Sequence, residues 1–390
     1  MKRNKSFVFI VALVTIFFSA TIATSAYLPT TSPDKVGMSA SILASVDSVI
    51  NAGIADKNTP GAVLLVGHQG KIVYKKAYGN RMVTPRVEKM TVDTIFDMAS
   101  LTKPTATGCG IMKLVEEGKL DVHEKAAKYF PEFAQNGKEN ITLADLLTHT
   151  SGLIPDGDYY EKNMGYKGII KNLAEMHCRY TTGTRFVYSD LGYMTLGEII
   201  SRVSGKPENV YVTKKIFKPL GMKDTGYLPP KSKWSRCAPT EFRHGKLLQG
   251  QVHDPTAWEM GGVAGHAGLF STADDMAIFC QMFLNNGEYK GIRIFKPETI
   301  KLMTTNQSPI TDQARGFGWD IGSKYSSQRG HIFPKEGYGH TGWTGTSVWI
   351  DPASQTFVIL LCNRNHPKGG DVTDLRAAVA DVVAKSIIKP

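Results

Sequence analysis

Cysteine is scarce and scattered: Cys109, Cys178, Cys237, Cys280 and Cys362 are all that 390 residues contain. None stands in a Cys-x-x-Cys spacing, which excludes a dithiol redox motif and the usual paired-thiol zinc site. Five is odd, so at most two disulfides can form, and several buried free thiols are the plainer reading. No segment recurs at a period of about 20 to 50 residues, which excludes a solenoid or propeller. Disorder and coiled coil are excluded by a composition of 42% hydrophobic and 21% charged residues, and the length suits one large or two medium domains with real cores.

Long apolar runs are also missing, except at the start. Lys2, Arg3 and Lys5 precede an apolar stretch from Phe7 to Ala23, and Thr24-Ser25-Ala26 supplies small residues before Tyr27. Residues 1–26 read as an export signal, which would leave the mature chain periplasmic or secreted. An uncleaved membrane anchor is the alternative, because the run is nearly long enough to span a bilayer. No cysteine lies near the exit, which disfavours a lipoprotein.

Acidic residues are the minority, 35 against 46 basic ones, for a net charge of +11. Three of the basic residues leave with the signal, and about +8 remains. Those positives are dispersed (Lys125, Lys128, Lys138, Lys162, Lys167, Lys171) without interleaved aromatics, so nucleic acid is not the expected partner. Peripheral association with an anionic cell envelope suits an exported basic chain, and a solvated surface without a partner explains the same charge. Oligomeric state leaves no mark in the sequence.

What is present has a definite order. Apolar residues at helical spacing run from Ser39 to Ala55, with Ser39 or Ser41 as cap. Gly61 to Gly67 and Lys71 to Ala77, around His68-Gln69-Gly70, read as a β-hairpin. Thr94 to Met98 is a third β-rich run, feeding a helix that carries Ser100 and Lys103 and ends near Glu117-Gly118. Helices joined by Pro/Gly-rich loops fill the middle, among them Asn140 to Leu147, Leu191 to Val203 and Ser271 to Phe279. Strands return at Gly316 to Ile321, Thr346 to Ile350 and Thr356 to Leu361, and a last amphipathic helix spans Val372 to Ile388. The expected fold class is α+β, with one antiparallel sheet shared by residues 27–99 and 301–390, flanked by N- and C-terminal helices. A mainly helical domain, 100–300, is inserted, and the active site falls at the junction.

Ser100 and Lys103, three apart at a helix start, project from nearly one face. A serine hydroxyl needs a base, and a partly desolvated lysine with a lowered pKa can serve. By itself Ser-x-x-Lys is common. Here it is followed by Tyr188-Ser189-Asp190 in a loop before a helix and by His340-Thr341-Gly342 at a C-terminal strand. The set, in this chain order, resembles the serine β-lactamase and penicillin-binding-protein superfamily, in the branch of class C β-lactamases, D-Ala-D-Ala carboxypeptidases and related esterases. Leu146 to Leu153, Ala264 to Asp275 and Gly316-Phe-Gly-Trp319 are further landmarks of it. Gln251 to Trp258, Gly261-Gly262-Val263 and Tyr338 to Gly345 look most like the penicillin-binding protein 4B group.

The resemblance implies a β-lactamase/transpeptidase-like fold and an acyl-enzyme on Ser100, with Lys103 relaying its proton and Tyr188 protonating the leaving amine. Backbone N–H groups of Ser100 and Trp343 would hold the oxyanion, with Gly342 allowing close approach. His340 and Thr341 would bind the carboxylate or amide end of the substrate, and a histidine there makes carboxylate recognition weaker and more pH-sensitive than lysine would. Asp190 replaces the usual asparagine. A carboxylate cannot donate to a substrate carbonyl, so Asp190 is expected to pair with Lys103 or another cation, and strong β-lactamase activity is not expected. The implied substrate is a peptidoglycan stem peptide ending in D-Ala-D-Ala. An esterase, a β-lactamase, another cell-wall amidase on small acyl substrates, and a penicillin-binding sensor without turnover are the alternatives. The apparatus calls for no cofactor and no metal, although His253, Asp254 and His266 could be imagined as ligands. His149 reads as a turn-fixing residue. The glycine-rich stretch 261–268 lacks a following Gly-Lys-Ser/Thr and reads as a tight loop lining the acyl pocket rather than a phosphate loop.

Overall fold

The computed structural model describes residues 27–159 and 162–388; residues 1–26, read above as an export signal, lie outside them. The helical run after Ser39 is divided into α1 (Ala40–Ala44) and α2 (Val46–Ala55). Ser39 caps the first, its hydroxyl accepting from the Ile42 N–H at 3.2 Å. The break falls at Ser45, whose hydroxyl donates to the Ile42 carbonyl at 2.7 Å and competes with the helix ladder.

The hairpin is β1 (Gly61–His68) and β2 (Lys71–Met82). Gln69 and Gly70 between them both have positive φ, 47° and 75°, as a two-residue turn matched to strand twist requires. β1 is buried along its whole length, which explains its unbroken apolar sequence. Ala62, Leu64 and Val66 face one core with Leu43, Val46 and Ile50. Val63 and Leu65 enter the larger core on the opposite face, with Met276 and Phe279.

A short β3 (Glu88–Lys89) and five C-terminal strands complete the sheet: β4 (Ala314–Arg315), β5 (Asp320–Gly322), β6 (Tyr338–Thr341), β7 (Ser347–Asp351) and β8 (Thr356–Cys362). Their order is β4-β5-β6-β7-β8-β1-β2-β3. β8 runs antiparallel to β1, with Ala62 opposite Cys362 and His68 opposite Thr356. Both ends of the sequence thus share one antiparallel sheet.

Between them lie α3 (Cys109–Glu116), α4 (Asp190–Ser204) and α5 (Ala273–Leu284). α3 and α4 pack on each other, whereas α5 lies against β1 and β8. The closing helix, α6 (Thr373–Ser386), packs with α1 and α2.

Two local expectations are corrected. The run at Thr94 to Met98 contributes only Phe96–Asp97 as strand, paired with Leu269–Ser271 in a separate three-stranded sheet. The helix bearing Ser100 is not uniform: a 3-10 turn (Ala99–Leu101) leads into a π-helical stretch (Lys103–Gly108) before α3. Pro104 cannot donate there, and the wide turn packs closely on Gly318, whose missing Cβ would fall 3.1 Å from the Pro104 Cα. All five cysteines are unpaired, four of them buried.

Candidate active site

The chain enters the site through Ala99, a buried residue at φ 46°, a conformation that costs a non-glycine residue free energy and is held by its surroundings. Asp97 holds it, accepting from the Ala99 N–H at 2.8 Å and the His253 N–H at 2.7 Å. Ser100 follows. One turn on, Lys103 has no exposed surface. Its ammonium nitrogen lies 2.9 Å from Ser100 Oγ, 2.7 Å from Asp190 Oδ1 and 3.3 Å from the His266 carbonyl. An ammonium has three protons, and these are three acceptors. Burial alone lowers the Lys103 pKa, but the Asp190 carboxylate, with Tyr188, outweighs it and holds the group above the ordinary lysine value. The lowered pKa expected of a desolvated lysine is therefore overturned: at rest Lys103 is a cation donating to Ser100.

Asp190 opens α4, where a carboxylate suits the helix N-terminus. Ser189 caps that helix, its hydroxyl accepting from the Gly192 N–H at 3.3 Å. The preceding Tyr188 is set by His149, which accepts the Ser189 N–H on Nδ1 at 3.0 Å and stacks on the Tyr188 ring at 4.3 Å. Burial, then Arg315, pushes the His149 pKa well below its usual value, so the ring is a neutral acceptor that shapes the loop. Tyr188 stands with its ring 4.8 Å from Lys103 Nζ.

The third motif arrives from the sheet. β6 carries His340 and Thr341, and the turn after it is pinned to the turn that leads into Ser100: Thr344 Oγ1 donates to the Asp97 carbonyl at 2.7 Å and Thr346 Oγ1 to the Met98 carbonyl at 3.1 Å. At Gly342 a Cβ would fall 2.4 Å from that Met98 carbonyl, so only glycine lets the two backbones approach. Arg376 of α6 braces the turn, donating to the Gly342 and Thr346 carbonyls at 2.7 and 2.9 Å. Ser100, Tyr188, His340, Thr341, Gly342 and Trp343 all line one cleft of 410 Å³. Lys103 and Asp190 form its inner hydrogen-bonded layer.

Two residues change the expected chemistry at the His340 end. His340 is 4% exposed, and its Nδ1 is 2.9 Å from the Thr341 carbonyl, to which it donates. Burial, then the nearby Arg315 and Lys103, drives its pKa well below the usual histidine value. The expected pH-sensitive charge at this position is thus overturned. The cation comes from Arg315 on β4, which has no exposed surface and lines the same cleft. Its Nη1 is 3.6 Å from Asp320 Oδ1, and its three guanidinium nitrogens have no hydrogen-bond partner among the described residues. Sequence reasoning missed it because nothing local marks an arginine before Gly316. Only the register β4-β5-β6 carries it to the cleft.

The imagined cluster of His253, Asp254 and His266 does not form as drawn. His253 Nε2 turns to Glu241 at 3.3 Å. His266 Nε2 pairs with Asp254 Oδ1 at 2.8 Å, and ligand atoms of Asp190, Asp254 and His266 lie within 4.8 Å of one another beside the Lys103 ammonium. The glycine-rich loop does not line the cleft; it lies behind Lys103, with Val263 and Ala264 on a separate cavity of 550 Å³. Thr107 Oγ1 is 2.6 Å from the Gly265 carbonyl and 2.5 Å from Glu208 Oε1. One hydroxyl has one proton, so both contacts are satisfied when Glu208 is protonated and donates to Thr107. Burial pushes the Glu208 pKa up to about 7, consistent with that count.

The Beta-lactamase family model matches residues 46–382. An N-acetylmuramyl-L-alanine amidase of Bacillus subtilis (strain 168) is 40% identical over 363 residues, 83% of this chain and 81% of that protein. A Salmonella typhi protein with the provisional name D-alanyl-D-alanine carboxypeptidase is 35% identical over 402 residues, 92% of this chain and 91% of that one. Among solved structures, the octameric penicillin-binding protein homologue from Pyrococcus abyssi aligns with a TM-score of 0.67 at 27% identity, over 82% of this chain and 73% of that one. EstCE1, a hydrolase with promiscuous acyltransferase activity, aligns with a TM-score of 0.72 at 20% identity, over 88% of this chain and 99% of that one.

Proposed function

The chain belongs to the Beta-lactamase family, and we propose that it is a serine hydrolase of peptidoglycan that cleaves, through an acyl-enzyme on Ser100, an amide bond whose leaving amine carries a carboxylate. The observation that carries this reading is Arg315: a buried guanidinium with no hydrogen-bond partner among the described residues and the Asp320 carboxylate no nearer than 3.6 Å, on the wall of the cleft that holds Ser100, leaves its donors for a second anion. Thr341 on β6, with β5 between it and Arg315, supplies a hydroxyl to the same cleft.

In this mechanism the Ser100–carbonyl bond forms as Lys103 passes a proton to Asp190 and takes the Ser100 proton in its place. Backbone N–H groups of Ser100 and Trp343 receive the oxyanion. The C–N bond breaks as Tyr188 protonates the amine, and water then releases the acyl group by the reverse proton path. Two peptidoglycan bonds meet the requirement. The D-alanyl–D-alanine bond is the first reading, because its leaving group bears a carboxylate next to the scissile amide, where Arg315 and Thr341 favour one. The N-acetylmuramyl–L-alanine bond is the second, favoured by the 40% identical amidase. The proposed setting is outside the cytoplasm, supported by the sequence of residues 1–26.

Intact-mass and product analysis tests all of this. The protein is mixed separately with a D-Ala-D-Ala peptide, a muramyl-L-alanyl peptide and a penicillin. Release of D-Ala, or of muramic acid, with each lost in Ser100→Ala, is the expected result and identifies the bond. Cleavage of neither peptide, alongside rapid turnover of short esters, overturns the peptidoglycan reading in favour of an esterase; a single stable adduct without turnover makes it a sensor.

A further inference from the structure

Lys103 and Asp190 form one ion pair at the base of the cleft, and a second lies directly against it. His266 is 1% exposed, and its Nε2 meets Asp254 Oδ1 at 2.8 Å. The same Asp254 oxygen accepts the Ala257 N–H at 2.7 Å, capping the helix Pro255–Glu259, so the carboxylate has little freedom. The loop carrying His266 is clamped as well. A Cβ at Gly265 would fall 2.0 Å from the Tyr193 carbonyl, and Thr107 holds the Gly265 carbonyl. From that fixed loop the His266 carbonyl reaches Lys103, while its ring lies within 4.8 Å of the ligand atom of Asp190.

We infer that His266 and Asp254 are positioning residues for the Ser100 reaction, their buried pair setting the electrostatic field at Asp190 and, through it, the proton relay of Lys103. The His266 ring packs against both carboxylates, with one atom of each of the three groups within 4.8 Å of the others. A charged ring there offsets both carboxylates; without it Asp254 loses its partner and two like charges face each other at close range. The other charged groups facing His266 are Lys103, Asp156 and Glu208. Burial lowers the His266 pKa, but Asp254 and then Asp190 outweigh it and raise the group above its usual value. Since Asp190 is the proton sink in the acylation step, changing the charge packed beside it changes the pH at which the relay runs.

The inference rests on the Ser100 reading, and the test separates the two. Hydrolysis of p-nitrophenyl acetate, less the Ser100→Ala background, is followed across about pH 5 to 9. His266→Gln is expected to move the acidic limb of kcat/KM upward by about one to two pH units. The double variant His266→Gln/Asp254→Asn, which removes both charges, is expected to return the limb to the wild-type position. Unmoved limbs in both variants, with or without lower rates, overturn the inference and leave the pair a scaffold. Independently of turnover, the His266 imidazole resonances, assigned with His266→Gln, are expected to be those of a cation at neutral pH; a neutral ring overturns the inference. Absence of Ser100-dependent turnover would instead count against the nucleophile, with the imidazole signal still deciding the charge of the pair.

Discussion

Asp190→Asn should release Lys103 from its cationic state. The two groups are 2.7 Å apart, and Lys103 has no exposed surface. At an effective dielectric of about 20, two charges at that distance attract by about 6 kcal/mol. Breaking a buried pair by removing one partner costs less in practice, about 3–5 kcal/mol. At about 1.4 kcal/mol per unit, the lysine pKa should fall by about two to four units. Burial then acts unopposed, and a growing fraction of Lys103 can accept the Ser100 proton directly. Formation of the penicilloyl adduct, followed by intact mass in a single turnover, should be slower than wild type near neutrality, where the proton sink is gone and Lys103 is still mostly charged, and should rise with pH until the new lysine pKa is passed. The stability cost carries the opposite sign. A folded lysine pKa above the unfolded value contributes stability that is complete below the unfolded value, about 10.5, and is lost as pH climbs through the folded one. The variant should therefore melt lower than wild type near neutrality, and the gap should narrow in strong alkali. Adduct formation at the wild-type rate, with the same pH dependence, would refute the idea that Asp190 keeps Lys103 charged.

Ser100→Ala should abolish acyl transfer to every substrate, and retained turnover in the purified variant removes the mechanism. Arg315→Met should raise KM at least about tenfold for a carboxylate-terminated peptide while leaving neutral ester hydrolysis within about threefold, since one charge-assisted contact contributes about 1.5–3 kcal/mol; equal losses on both substrates count against a carboxylate anchor. Glu208→Gln should stabilise the protein at pH 8 by up to about 3 kcal/mol and leave it nearly unchanged at pH 4, as read from chemical denaturation. The raised Glu208 pKa, about 7, makes its contribution complete below the unfolded value of 4.5 and lost as pH rises through 7, whereas the amide donates to Thr107 at any pH.

The sheet and the cluster around Ser100 were readable because each leaves a local pattern. Gly61 to Gly67 is a continuous apolar run since β1 is covered on both faces, and Gln69-Gly70 announces its turn. Ser100, Lys103, Tyr188 and Asp190 were found by motif. What escaped is set by tertiary geometry. Arg315 reaches the cleft through strand order, His266 reaches Asp190 across loops far apart in sequence, and the π-helical stretch at Lys103–Gly108 reflects packing against Gly318. The two electrostatic errors come from balances that sequence does not weigh: the expected Asp190 pairing outweighs the burial of Lys103, and burial, then Arg315, keeps His340 neutral.

The pairing of β1 with β8 has a consequence for how this chain reaches its native state. β1 is an interior strand of the sheet, and its partner on one side is the last strand in the sequence, with Ala62 opposite Cys362. The loop closed by that pairing spans most of the molecule, so the contact is of high sequence separation and forms late. A chain emerging from the ribosome holds the β1–β2 hairpin long before Thr356–Cys362 arrives to cover its other edge. Until then an apolar edge of eight residues stays open to any passing strand. Truncation before Thr356 should leave that edge permanently uncovered and turn a catalytic scaffold into an aggregation template, whatever remains of the residues around Ser100.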